Sequence, residues 1–457
     1  MQSAEQAEIH RAKADGRWDA AYDSPANAKK PETRAKRLAT FVEMLREGRT
    51  LHPRSRWAVS FDQARSMTWA AICASKSALR APVFATILFG AGCANPERSP
   101  DGPSVEVSYM VDTASAEHKE VLDLWRSYMA SRPQDYTKKP HWSEAEQKRW
   151  KLYDLGGGFV WAGDEALAQT RATVFQIAPA KPGDSTEYVI RTMFTRPDDF
   201  QSERRTFLHR VYAMRENGRW VLSNALVRTT ADWKRTRFER ITYIHPPEHR
   251  VDTVRARMAV RFVDSLATAF DATKPPAIEY YLAGSPEEIF QLTGIDFYLP
   301  GSRAYAAPGN YQIFSGVPKL GEFFGHELAH MVLDEVLRKL DTPFVLHEAL
   351  ALWLGGGREM TWPQVKRELA TVLQQDSSWT LERLLEDRPA TAIYRYSAAA
   401  SLLELTNQRG GGAALKSALN PPRSRGKQDL VAGFAAALQL RRSEVEAEWR
   451  KSVLDAR

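Results

Sequence analysis

Cysteine is nearly absent: Cys73 and Cys93 are the two in 457 residues, and none follows position 93. The rest of the chain therefore has neither a disulfide framework nor a thiolate metal site available to it. Long apolar runs are missing as well. The longest, residues 81–92 (APVFATILFGAG), falls well short of the about 20 apolar residues that a membrane-spanning helix needs. Most of the chain also lacks a charge excess. Residues 1–95 hold fifteen Lys/Arg against nine Asp/Glu, which leaves 48 against 47 beyond them, so the body gives nucleic-acid binding no electrostatic footing. No fixed-period repeat or low-complexity tract is present. What remains, at 43% hydrophobic and 26% charged, is globular composition with length for two or three domains.

The first hundred residues read as a leader joined to a fragment of another kind. From Met67 the segment MTWAAICASKSALRAPVFATILFGAGC has a basic start, a short apolar middle and small residues running into Cys93. That is the layout of an export signal, and it resembles a bacterial lipoprotein signal with Cys93 as the lipidated residue. The resemblance implies a periplasm-facing cell-envelope protein held to the membrane through a lipid anchor; left unused, the segment implies a cytoplasmic one. Ahead of it, GRWDAAYDSP (residues 16–25) and AKKPETRAKRLATFVEMLREGRTLHP (residues 28–53) resemble the end of the bacteriocin-protection, YdeI or OmpD-associated family. The longer stretch that separates the two motifs in that family is missing, so the segment reads as a truncated remnant without function of its own.

From residue 114 to 132, Val121, Leu124, Trp125, Tyr128 and Met129 recur at helical spacing. Ser143 with Glu146 three residues on forms a capping-box pattern before a second, short helix. The period then becomes two: residues 171–177, 186–195 and 207–214 read as strands, and Asn217-Gly218 is a hairpin turn between VYAMRE and RWVLSNALV. A helix followed by long antiparallel strands is an α+β layout that resembles the cone-shaped nuclear-transport-factor-like fold. Asp154, His209 and Tyr212 could line a pocket there, but nothing in their spacing singles them out.

Chemistry is concentrated in residues 321–340, GEFFGHELAHMVLDEVLRKL. His326-Glu327-Leu328-Ala329-His330 is an H-E-x-x-H pattern set among strong helix formers, with neither Pro nor Gly from His326 to Leu340. On a helix the two imidazoles share one face and can reach a single Zn²⁺, while Glu327 leans over the open coordination position as proton acceptor for an attacking water. His245-Pro-Pro-Glu-His249 has the same spacing, but its prolines forbid the helix, and it reads as a turn after a strand. A catalytic zinc needs a third protein ligand. The segment DTPFVLHEALALWLGGG (residues 341–357) supplies a second helix, with Thr342 as N-cap, Pro343 at its first position and a glycine run from Gly355 that ends it. His347 and Glu348 both sit on it, about 100° apart, so spacing alone leaves the third ligand open between them.

HELAH followed by VLHEALA resembles the gluzincin metallopeptidases, in particular the peptidase MA-like group, over about 200 residues from Val251 to the end. The resemblance implies a mostly helical zincin-like domain with a small sheet, one Zn²⁺ per chain on His326, His330 and Glu348, and hydrolysis of a peptide or protein substrate with Glu327 as general base. It places His347 at the rim or in the second shell and Ala349 where the family usually has Gly. Tyr396 in RYSAAASLL matches the family's oxyanion-stabilising tyrosine, with Tyr394 a rival and a core role the plain alternative. Asn310-Tyr311-Gln312-Ile313-Phe314 resembles the edge strand that pairs with an extended substrate, and Asp334, one turn beyond His330, could hold an imidazole N–H as second shell.

The expected organisation is thus a truncated fragment (residues 1–55), a linker with the signal-like segment (56–100), an α+β cone-like domain (101–245) and a peptidase MA-like domain (246–457). The leading function is a zinc metallopeptidase; the alternative is a catalytically silent envelope binding or assembly protein that keeps the fold. An inactive relative is expected to lose Glu327, which this chain retains.

Overall fold

The computed structural model describes residues 105–455 apart from 132–136, 158–170, 196–206, 299–303, 358, 387–391 and 425–426. Cys93, the signal-like segment and the 1–55 fragment lie outside the described residues. The described part is mixed α and β, with two main sheets and a helical C-terminal region. All of it belongs to one compact unit, Glu97–Arg457.

The first layer starts with β1 (Val105–Val107) and α1 (Ala116–Ala130). Ser115 caps α1 by accepting the His118 N–H, and the helix buries Val121, Leu122, Trp125, Tyr128 and Met129. There follow α2 (Glu144–Arg149), β2 (Arg171–Pro179), β3 (Glu187–Thr195), β4 (Phe207–Glu216), β5 (Arg219–Ser223) and α3 (Ala225–Thr229). Asn217 and Gly218 both take positive φ, 53° and 78°, as a type I′ hairpin requires. The Ser143/Glu146 capping box does not form. Glu146 is buried and accepts from the Ser223 hydroxyl and from the Asn224 backbone and side-chain amides, while the Ser143 hydroxyl donates to Glu216. A tertiary site with three donors outcompetes the local cap.

The second sheet draws on both halves of the sequence: β6 (Lys234–Phe238), β7 (Ile241–His245), α4 (Thr253–Ala269), β8 (Ile278–Leu282), α5 (Pro286–Leu292), β9 (Ile295–Tyr298), β10 (Ala304–Ala307) and β11 (Gln312–Ser315). Its order is β10-β11-β8-β7-β6, with β8 parallel to both neighbours. The β6–β7 hairpin, N-terminal to position 246, is thus hydrogen-bonded into this sheet, whereas β9 crosses back to pair with β4 of the first. Successive strand residues point to opposite faces. Tyr243, Tyr280 and Ile313 enter the core beneath α4 and the C-terminal helices, and their neighbours Ile244, Tyr281 and Phe314 enter the core of the first layer. The sheet is the shared wall of two hydrophobic cores.

The C-terminal helices are α6 (Gly325–Lys339), α7 (Phe344–Gly355), α8 (Trp362–Gln375), α9 (Leu381–Leu385), α10 (Ala392–Ala418, kinked at Gly411), α11 (Leu430–Leu438) and α12 (Arg442–Leu454), with a two-residue ribbon, β12 (Arg423–Ser424) and β13 (Lys427–Gln428), before α11. α7 starts one residue later than its sequence pattern predicts, with Pro343 as N-cap, and the buried Thr342 hydroxyl caps nothing. No described helix is long and apolar enough to cross a membrane.

Candidate metal centre

The site begins with one close approach. A methyl group on Gly355 would sit 2.1 Å from the Gly325 carbonyl carbon and 2.3 Å from the His326 nitrogen. Glycine at both positions lets the start of α6 and the end of α7 touch backbone to backbone. Gly356, at φ 75°, turns the chain so that its carbonyl lies 3.1 Å from His326 Nδ1. A carbonyl only accepts, so Nδ1 carries the proton and Nε2 presents its lone pair.

That lone pair points into a group of three. His326 Nε2 and His330 Nε2 are 3.2 Å apart; Glu348 Oε2 is 3.4 Å from the first and Oε1 3.3 Å from the second. No other group of three or more His, Cys, Asp or Glu among the described residues converges in this way. Two ring nitrogens and a carboxylate at this range need a proton or a cation between them. Donors about 2.0–2.1 Å from a tetrahedral zinc ion are spaced by about 3.4 Å, so the donor set fits that ion without rearrangement. Burial works against the Glu348 charge, but the two imidazoles overcome it and hold the carboxyl well below the ordinary carboxylate range. Burial also opposes a charged His326, yet Glu348 and Glu327 outweigh it and the net shift is upward.

Glu327 stands apart from the three. It is buried, and loss of solvent raises its pKa against the pull of the two imidazoles. An Ala306 backbone hydrogen bond reaches it from β10, the strand alongside α6.

The other expected site residues fall as follows. His347, next to Glu348, turns away from the group and shares a hydrogen bond of 3.1 Å with the Thr342 carbonyl. Asp334 accepts from Arg338 Nε at 2.8 Å, and the imidazole-orienting contact that sequence sought there is made at His326 by the Gly356 carbonyl. Tyr396 lies partly buried on α10, which packs along α7, and Tyr394 contacts Trp379. The edge strand is not the one expected. Gln312 and Ile313 are fully buried in β11, hydrogen-bonded between β10 and β8, and Tyr311 sits in a left-handed turn at φ 54°. Among the described strands this sheet has its edges at β10, Ala304–Ala307, and at β6, and the one beside β11 and α6 is β10. Its sequence, AYAA, is too weakly patterned to declare itself, whereas Gln-Ile-Phe-Ser, of the same length, reads as a strand because it is buried on both faces. Gly355 and Gly356 were legible only as the end of a helix, and Gly325 carried no reading of its own. Their role is a tertiary contact and has no local signal.

In the first layer, Tyr128 donates to Asp154 at 2.7 Å and the His209 ring packs between Trp125 and Phe194. Tyr212 lies beneath the Arg228 guanidinium, 4.4 Å from ring centre to carbon. Asp154 and His209 are core residues there.

Comparison with known proteins bears on the N-terminal region alone. The family described as bacteriocin-protection, YdeI or OmpD-associated matches residues 20–48, within the stretch that sequence motifs liken to it. No curated protein matches the chain.

Proposed function

We propose that the chain is a zinc-dependent metallopeptidase of the gluzincin type, acting on a peptide or protein substrate. The observation that carries this reading is the 3.2–3.4 Å spacing of His326, His330 and Glu348, the separation that one tetrahedral ion imposes on its donors. Bound there, the ion would supply positive charge that acidifies water and polarises a carbonyl. Glu327 takes the proton from the attacking water and returns it to the departing amine; burial, by raising its pKa, suits it to hold that proton between the two events. The half-buried edge strand β10 offers an extended substrate a strand to pair with, and the Ala306–Glu327 contact links that strand to the base. Tyr396 is proposed as the oxyanion partner. The match to a family described as OmpD-associated, together with the residue 67–93 pattern, supports a location at the bacterial envelope, with Cys93 as the lipid attachment point.

The test is metal content and peptide hydrolysis side by side. Wild-type protein should hold one zinc per chain and cleave a mixed peptide library. His330→Ala should lose the metal, and Glu327→Ala should keep it and lose turnover by a factor of about 10²–10⁴. A Glu327→Ala protein that cleaves at the wild-type rate removes the proposed base, and a zinc-free wild type removes the site.

A further inference from the structure

The His245-Pro-Pro-Glu-His249 turn has no part in the metal group, yet it holds onto the segment that leads into α6. Glu322, four residues ahead of His326, is 2% exposed. Its Oε1 accepts from His249 Nε2 at 2.8 Å and from the Asp252 backbone N–H at 2.9 Å. Asp252 is in turn the N-cap of α4, accepting from Val254 and Arg255. Two tyrosines of the second sheet complete the fastening: the Tyr243 hydroxyl donates to the Glu322 carbonyl at 3.0 Å and the Tyr280 hydroxyl to that of Gly321 at 3.1 Å. The neighbouring His245 is spent on its own surroundings, Nδ1 on the Pro246 carbonyl and Nε2 on the Thr236 hydroxyl, and its ring meets His249 edge-on at 5.2 Å. His249, 33% exposed, turns its Nε2 inward to the buried carboxylate.

We propose that His249 and Glu322 form a brace that fixes where α6 begins, and thereby hold His326 and His330 ready to capture a metal. α6 needs such a brace from outside itself: its N-cap is Phe324, which offers no side-chain cap. Glu322 caps none of the α6 amides; it anchors the segment that leads into the helix, because a buried carboxylate gripped by an imidazole and a backbone amide does not shift without losing charge-assisted bonds. His249 and Glu322 are positioning residues; neither touches the metal group. The metal-capture half of the proposal rests on the reading of His326, His330 and Glu348 as ligands, whereas the mechanical half does not.

The experiment uses the full chain with His249→Ala, His249→Gln and Glu322→Gln. Amide hydrogen exchange of the metal-free protein reports on residues 321–328, and Zn²⁺ affinity is measured by competition with a chromogenic chelator. His249→Ala should speed exchange in that segment at least tenfold, leave the buried stretch of α10 around Leu402 and Leu403 unchanged, and weaken zinc binding about 10–100-fold. His249→Gln, which keeps an N–H donor, should recover most of both effects; Glu322→Gln, which keeps the acceptor and loses the charge, should fall between. Wild-type exchange and affinity in His249→Ala overturn the brace, as does exchange that rises equally in α10, since that is general loosening. If the wild type binds no zinc, the metal reading fails on its own and the exchange data still decide the brace.

Discussion

Replacing Gly355 with alanine adds a single methyl group at the point where α6 and α7 touch, and the structure says how far the helices must then part. The new carbon would lie 2.1 Å from the Gly325 carbonyl carbon, against 3.4 Å for an ordinary contact, so the backbones must retreat by about 1.3 Å. Both neighbours are backbone atoms, with no side-chain rotamer to yield. Overpacking of this kind costs about 1–3 kcal/mol, and the thermal midpoint should fall by several degrees. The effect on the site is sharper. Glu348 is about two turns along α7 from the wedge, and even a third of the retreat exceeds the about 0.2 Å tolerance of a metal–ligand bond. Its oxygens are 3.3–3.4 Å from the imidazole nitrogens, while two donors on one ion can be at most about 4.2 Å apart, and then only in line with it. Zinc affinity should therefore drop at least tenfold, measured by competition against a chromogenic chelator. Gly412→Ala is the control: a methyl group there meets nothing within 4 Å. It should stay within about 1 kcal/mol of wild type and bind zinc normally. A Gly355→Ala protein with wild-type affinity would show that the glycine contact does not set the position of Glu348.

Chelation should lower the thermal midpoint of the wild type in proportion to its metal affinity, by about 4 kcal/mol of stability when free zinc is a thousand times its Kd, and should leave the midpoint of His330→Ala unmoved. An equal response in both would place the stabilising metal elsewhere. Glu146 supplies a pH test away from the site: burial raises its pKa in the fold despite the Ser223 and Asn224 hydrogen bonds. A carboxyl whose folded pKa is raised stabilises most below its unfolded pKa, and that stability is lost as pH rises through the folded value. The stability of wild type relative to Glu146→Gln, from urea midpoints, should therefore decline from pH 4 to pH 8; a difference that grows over that range would contradict the assignment.

What the sequence disclosed was whatever local chemistry determines. The Asn217-Gly218 turn and the α6 histidine face both follow from residues within a few positions of one another. What it concealed depends on partners far along the chain. Glu146 sits at capping-box spacing but is drawn to Ser223 and Asn224, 77 and 78 residues away. Tyr311–Ile313 were expected at a sheet edge, yet hydrophobic patterning identifies a strand without giving its place in the sheet, and the edge position beside it went to the less patterned Ala304–Ala307. The second sheet takes strands from either side of residue 245 because residues of both polarities of face, such as Tyr280 and Tyr281, are apolar enough to be buried in turn by two different cores.

Two histidine pairs with the same spacing make the point most directly. In HELAH a continuous helix carries both rings on one face, where they meet edge-on, the Gly356 carbonyl uses up one nitrogen of His326, and the Nε2 atoms face each other across 3.2 Å with a carboxylate closing the triangle. In HPPEH the prolines force an irregular turn, the rings meet edge to face, and three of the four nitrogens are hydrogen-bonded to Thr236, Pro246 and Glu322. His245 has both nitrogens committed to protein partners and no lone pair to give, so His249 has no second imidazole to share a metal with and the pair fastens structure instead. Spacing selects which residues can meet; the backbone between them, and the partners already holding their nitrogens, decide whether a metal can join them.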